Sequence, residues 1–226
     1  MKAARHVSYA ASIGKSEFNE VETEEFQKLA ERLDKVSVRE KTAALMIAPI
    51  LNREVFVALD PTLLLDKNDW SKISIAPKKA GKYLLVYEVA CYRETMTVAK
   101  KVAKELGLPI VELKYTKTKI SYDHLCINDC GPEEFVGWFE NAEFIVTSSF
   151  HGTAFSIIYR KNFYTVPHKQ LGSRMVDLLN SIGLASRIIR NTDVPDVTEN
   201  VSYEIAVPLL EKQILGSIAY LKSSCY

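Results

Sequence analysis

Residues 143–167, EFIVTSSFHGTAFSIIYRKNFYTVP, constrain the fold more than any other stretch of this chain. Phe144, Ile145 and Val146 form an apolar run, followed by the polar turn Thr147, Ser148 and Ser149 and by the pair His151-Gly152. Ala154, Phe155, Ile157 and Ile158 then recur at helical spacing, and residues 163–166 return to strand composition. This order predicts a buried strand, a polar turn, a short apolar helix and a second buried strand. The turn then lies at the carboxyl end of a parallel strand, where open α/β sheets bind ligands and helix N-termini favour anions. The same residues also suit a plain capped helix with a turn glycine.

The alternation runs along most of the chain and predicts a parallel α/β architecture. Strands are expected at 7–12, 36–39, 55–59, 82–89 and 110–115. Helices are expected at 23–33 with Thr23 as N-cap, 42–51, 94–106 (stopped by Gly107 and Pro109) and in EEFVGWFENA after Pro132. Asp60-Pro61 reads as a cap followed by a helix-starting proline. The polar stretch between 66 and 82 reads as a boundary, dividing the chain into units 1–74 and 75–226. Residues 116–131 read as a long loop carrying Cys126, Cys130 and His124. Helices follow near 174–182 and 203–221, the last expected to pack back across the cleft.

Composition removes several function classes. A formal net charge of +1 offers no electrostatic attraction to nucleic acid or acidic membranes. No apolar run has bilayer length, and the start MKAARHVSYAASIG suits a strand better than a secretion signal. Four cysteines in a chain this long do not make a disulfide framework, so reduced thiols in the cytoplasm are expected. Cys126 and Cys130 lack a second pair with zinc-site spacing, which predicts no metal. There is no G-x-G-x-x-G, P-loop or G-x-S-x-G. What remains is a set of polar residues at predicted strand ends: Ser12 and Gly14, Arg39, Asp60, and the group around His151. Arg174 and Arg187 either brace their helices or hold an anion.

These pieces resemble the polysaccharide pyruvyl transferases over nearly the whole chain. The matching stretches are VSYAASIG (7–14), SVRE (37–40), LDPTLLL (59–65), GPEEF (131–135), NAEFIVTSSFHGTAFS (141–156), and Ser173-Arg174 followed by LLNSIGL. The resemblance implies a GT-B-like fold, two Rossmann-like parallel-sheet domains facing across a cleft. It implies transfer of a pyruvyl group from phosphoenolpyruvate to two sugar hydroxyls of a cell-surface polysaccharide, with no cofactor. The partners are then a small-molecule donor and a glycan acceptor, met in the cytoplasm or at the inner face of the membrane. His151 and Arg39 are implied to lie in the donor site, His151 moving protons or assisting phosphate departure and Arg39 holding the anion. Ser148, Ser149 and the amides of Gly152 and Thr153 would complete the cradle, with Asp60 and Arg174 beside it and Ser12 and Gly14 on the opposite wall.

Two departures qualify the resemblance. Some family members carry an arginine two residues before the histidine, where this chain has Ser149. One anion contact would then be lost, or supplied by Arg174 or another residue. Family members also begin with a further strand-helix segment, so the N-terminal domain is expected to be truncated, with an edge open to self-association or to a missing segment. Two other readings share the cleft: a glycosyltransferase using a nucleotide sugar, and a partial homologue that binds without catalysis.

Overall fold

The structure is a computed structural model and describes residues 5–15, 17–78, 81–89, 91–114, 123–168, 172–190, 192–193 and 195–225. Near the start, the expected strand at 7–12 forms as two parallel bridges, Val7 to Lys35 and Ala11 to Val38. The ladder breaks at Ala10, whose φ of 47° is left-handed. Ser37 fills the gap: its Oγ accepts from Ala10 N (3.0 Å) and donates to the Ser8 carbonyl (2.9 Å).

Helix α1 (Glu20–Ala30) starts one turn earlier than Thr23 would place it. Asn19 is the cap: its Oδ1 accepts from Glu22 N at 2.9 Å, and the Glu22 carboxylate accepts from Asn19 N at 3.2 Å. Strand β1 (Ser37–Val38), helix α2 (Lys41–Leu51) and strand β2 (Phe56–Val57) follow, β1 and β2 pairing in parallel. Ala43, Ala44 and Ile47 on one face of α2 bury against Val36 and Val38.

The polar stretch after this unit is docked rather than loose. Asp66 caps a short helix, α3 (Lys67–Ser71), by accepting from the amides of Asn68 and Asp69. Trp70 meets Phe155 edge-on with ring centroids 5.0 Å apart. Leu59 and Leu63 join the same core as Phe139, Phe155 and Leu179, so the apolar interior runs through the boundary expected at residue 74.

Strand β3 (Leu84–Tyr87), helix α4 (Tyr92–Leu106), strands β4 (Ile110–Leu113) and β5 (Leu125–Ile127), helix α5 (Pro132–Asn141), strand β6 (Phe144–Thr147), helix α6 (Phe150–Ile158) and strand β7 (Asn162–Thr165) build the larger unit. Its sheet is parallel throughout, in the order β5-β4-β3-β6-β7. That is the doubly wound order, with its switch point between β3 and β6. Leu84, Val86, Phe144 and Val146 pack on the α4 side, while Leu85, Ile145 and Phe163 face α5 and α6. Burial on both faces explains why these strands read as unbroken apolar runs. β5 lies inside the stretch expected to be loop; three residues with an exposed Leu125 give too short a pattern to read. Residue 115 of the expected strand and residues 116–122 of that loop lie outside the described residues.

Helix α7 (Ser173–Ser181) and the long α8 (Tyr203–Cys225) complete the chain. As expected, α8 returns to the first unit. Tyr220 stacks on Phe56 at 5.0 Å, its hydroxyl donates to the Ser8 carbonyl at 3.1 Å, and Ser217 Oγ accepts from Leu59 N at 2.9 Å. Among the described residues, no helix is long and apolar enough to cross a membrane.

Candidate active site

The carboxyl ends of β1, β2 and β6 meet between the two sheets. Arg39 follows β1, and Asp60 stands three residues beyond β2. Arg39 Nη1 lies 2.7 Å from Asp60 Oδ2, with both side chains largely buried, and the guanidinium stacks over Phe150 at 5.0 Å. Asp60 also accepts from Thr62 N at 2.9 Å, so it is at once the expected cap and the counter-ion of Arg39. His151, on the first turn of α6, brings Nε2 to 3.9 Å from the same Asp60 oxygen while half its side chain stays exposed.

A second guanidinium enters from α7. Arg174 Nη1 is 3.4 Å from Ser12 Oγ, and its Nε is 3.9 Å from Glu40 Oε1. Ser12 Oγ also donates to Glu40. Glu40 occupies the N-cap position of α2 but makes no cap bond with its side chain; it is buried, and its Oε2 has no partner among the described residues. Asp177 of α7 caps α2 instead, accepting from Thr42 N (3.1 Å) and Oγ1 (3.2 Å). Each arginine thus leans on a buried carboxylate. Arg39, Asp60, Phe150, Arg174 and Asp177 line a pocket of about 520 Å³.

The turn after β6 is built more tightly than a free cradle. Ser149 caps α6, its Oγ accepting from Gly152 N at 3.4 Å, and Thr153 N bonds to the Ser149 carbonyl at 3.0 Å. The Gly152 and Thr153 amides are therefore engaged within the helix start, which corrects their expected role as free donors. The N–H groups of Phe150 and His151, outside the intrahelical ladder by position, remain at that end. Thr153 Oγ1 turns inward to Thr165 (2.9 Å), and Ser148 Oγ accepts from Val89 N at 3.2 Å. Gly14 takes a φ of +67°, and a Cβ built there would meet nothing within 4 Å. Arg187 is a brace: fully buried, paired with Glu199 at 2.8 Å and packed over Tyr164.

Gly152 is required by close packing. A Cβ there would stand 2.1 Å from Thr147 Oγ1, which already donates to the Tyr87 carbonyl and accepts from Ser149 N. Gly152→Ala is expected to cost about 2 kcal/mol net, overpacking outweighing the helix propensity gained. Urea unfolding checks this; an unchanged midpoint would contradict the tight fit.

Desolvation in the cleft holds the His151 imidazole below its ordinary pKa. The Asp60 carboxylate opposes that shift, and the Arg39 and Arg174 guanidiniums add to it. The ring is therefore neutral at pH 7 and able to accept a proton. Asp60→Asn removes the raising partner and should move the His151 titration to lower pH. Arg174→Ala removes a lowering one and should move it up. NMR titration of the imidazole reads both, and movement in the opposite directions would refute the arrangement.

Residues 2–170 match the family described as Polysaccharide pyruvyl transferase, a span that includes Arg39, Asp60 and His151 and ends before Arg174. The chain belongs to that family. No curated protein matches it by sequence. In structure it is similar to UDP-GlcNAc 2-epimerase from Methanocaldococcus jannaschii, at 12% identity and a TM-score of 0.52, over 93% of this chain and 63% of that one. The same enzyme solved with UDP-GlcNAc and UDP is matched at 12% identity and a TM-score of 0.45, over 81% and 55% of the two chains. UDP-N-acetylglucosamine 2-epimerase from Rickettsia bellii is matched at 17% identity and a TM-score of 0.44, over 96% and 67%. The chain thus spans 55–63% of the length of the two Methanocaldococcus structures. The fold is α/β and GT-B-like, and the family is one of transferases that modify polysaccharides.

Proposed function

We propose that this family member transfers a pyruvyl group from phosphoenolpyruvate to two hydroxyls of a glycan, releasing phosphate and leaving a cyclic ketal. The observation that carries this reading is the pair of carboxylate-anchored guanidiniums, Arg39 and Arg174, opening on one pocket beside the imidazole of His151. Phosphoenolpyruvate carries a phosphate and a carboxylate, and two fixed guanidiniums suit two anionic groups.

The reaction needs little from the protein beyond anion binding and proton movement. A proton added to the methylene carbon makes a methyl group and a cationic C2, which the first sugar hydroxyl attacks. The C2–O bond to phosphate then breaks, and the second hydroxyl closes the ketal. The two hydroxyls lose two protons; one ends on the methyl carbon and one on the phosphate. Neutral His151 is suited to take a hydroxyl proton and deliver it to the departing phosphate. Arg39 and Arg174 steady the negative charge, and Asp60 supports the imidazolium formed in between.

The test is product analysis. Incubated with phosphoenolpyruvate and a glycan bearing a free diol, the protein should add the mass of one pyruvate less one water and release one phosphate per ketal. Transfer of a sugar from a nucleotide donor instead would replace this reading with the glycosyltransferase one. No turnover with either donor would leave the protein as a binding module.

A further inference from the structure

On the sheet face that carries α4, the fold assembles a set of ligands that sequence spacing does not predict. Glu112 of β4 is fully buried and stands directly across from Cys126 in the β4–β5 register. His124, just before β5, brings Nε2 to 2.7 Å from Glu112 Oε2, and Cys126 Sγ lies 3.4 Å from the same oxygen. One donor atom from each of the three lies within 4.8 Å of the others. Lys114 Nζ approaches Oε2 at 3.2 Å and also stands over the Tyr92 ring at 5.3 Å. Glu112 Oε1 is buried and has no partner among the described residues.

A buried ion pair between Glu112 and Lys114, with His124 as a hydrogen-bond donor, accounts for Oε2 alone. The Cys126 thiol, paired across the ladder, also hydrogen-bonds Oε2; none of these contacts accounts for the unpartnered Oε1, since buried polar atoms are normally satisfied. A thiolate, an imidazole and a carboxylate form the mixed donor set that zinc-class ions select. Tetrahedral coordination with ordinary bond lengths puts neighbouring donors about 3.3–3.6 Å apart. The observed 2.7 and 3.4 Å separations need only a small opening to admit an ion.

We propose that Glu112, His124 and Cys126 bind one zinc-class divalent cation that clamps edge strand β5 to β4, with either Glu112 oxygen as the carboxylate donor and the fourth position open to solvent. Binding releases the Cys126 thiol proton to solvent as the sulfur becomes a thiolate ligand. The carboxylate and thiolate together then balance the ion's two charges. Lys114 becomes surplus, and its side chain, only 11% exposed in the ion pair, swings outward to solvent. The site stands apart from the arginine cleft and asks nothing of the pyruvyl chemistry.

The experiment uses the full chain, reduced and metal-free, titrated with Zn²⁺ and separately with Co²⁺. One ion per chain should survive desalting by elemental analysis, cobalt should show thiolate charge-transfer absorption, and Zn²⁺ should raise the melting temperature. Cys126→Ser, a mild change, should weaken binding by about 100-fold or more, since even outer-shell partners of metal ligands are worth 10–100-fold. Cys91→Ser and Cys130→Ser should leave binding intact, and Lys114→Met should tighten it by removing the competing cation. Failure of the ion to bind, or binding indifferent to both Cys126→Ser and His124→Ala, would overturn the proposal.

Discussion

Arg39→Ala is expected to raise the KM for phosphoenolpyruvate about 10–100-fold, the worth of one charge-assisted contact to an anion. It should also lower stability, because Asp60 would be left buried with only the Thr62 amide and the half-exposed His151 as partners. Breaking a buried pair typically costs about 3–5 kcal/mol, and the partial exposure of Arg39 places this one near the lower figure. Arg39→Lys separates the two effects. A lysine can still pair with Asp60, restoring most of the stability, but it lacks the planar fork and should keep KM about 10-fold high. Chemical denaturation alongside steady-state kinetics reads both. A destabilised Arg39→Ala with an unchanged KM would reduce Arg39 to a structural role.

His151→Ala should act on the other parameter. Removing a positioned proton-transfer group lowers kcat by about 10²–10⁴-fold. Binding of phosphoenolpyruvate should change little, since the anion rests on the arginines. Stability should move by no more than about 0.5 kcal/mol, because the ring is 53% exposed and caps nothing. The combination is diagnostic: a folded protein that binds its donor and does not turn over. A kcat within a few-fold of the parent would remove His151 from the reaction.

Sequence reasoning reached the site through elements whose signals are local. The strand-turn-helix at 143–159 was legible because a strand buried on both faces reads as an unbroken run and α6 as a helical one. Asp60-Pro61 was legible as a cap because the cap bond spans two residues. The Arg39–Asp60 pair was not legible as a pair: it exists because β1 and β2 are neighbours in parallel, and pairing of strands is not written in either one. Glu40 sits inside the stretch SVRE, yet its turn away from α2 toward Ser12 and Arg174 depends on Asp177 taking over the cap. The same limit hid Glu112, His124 and Cys126, which a three-residue edge strand brings together. The start of α1 is written locally, since Asn19 and Glu22 carry capping-box spacing.

Calorimetric titration of the purified chain decides whether the cleft is a phosphoenolpyruvate site. Phosphoenolpyruvate should bind at one site per chain, with affinity falling in Arg39→Lys and Arg174→Ala and held in His151→Ala. UDP should bind weakly or not at all. Tight UDP binding with no heat from phosphoenolpyruvate, or phosphoenolpyruvate binding indifferent to both arginine changes, would contradict the account.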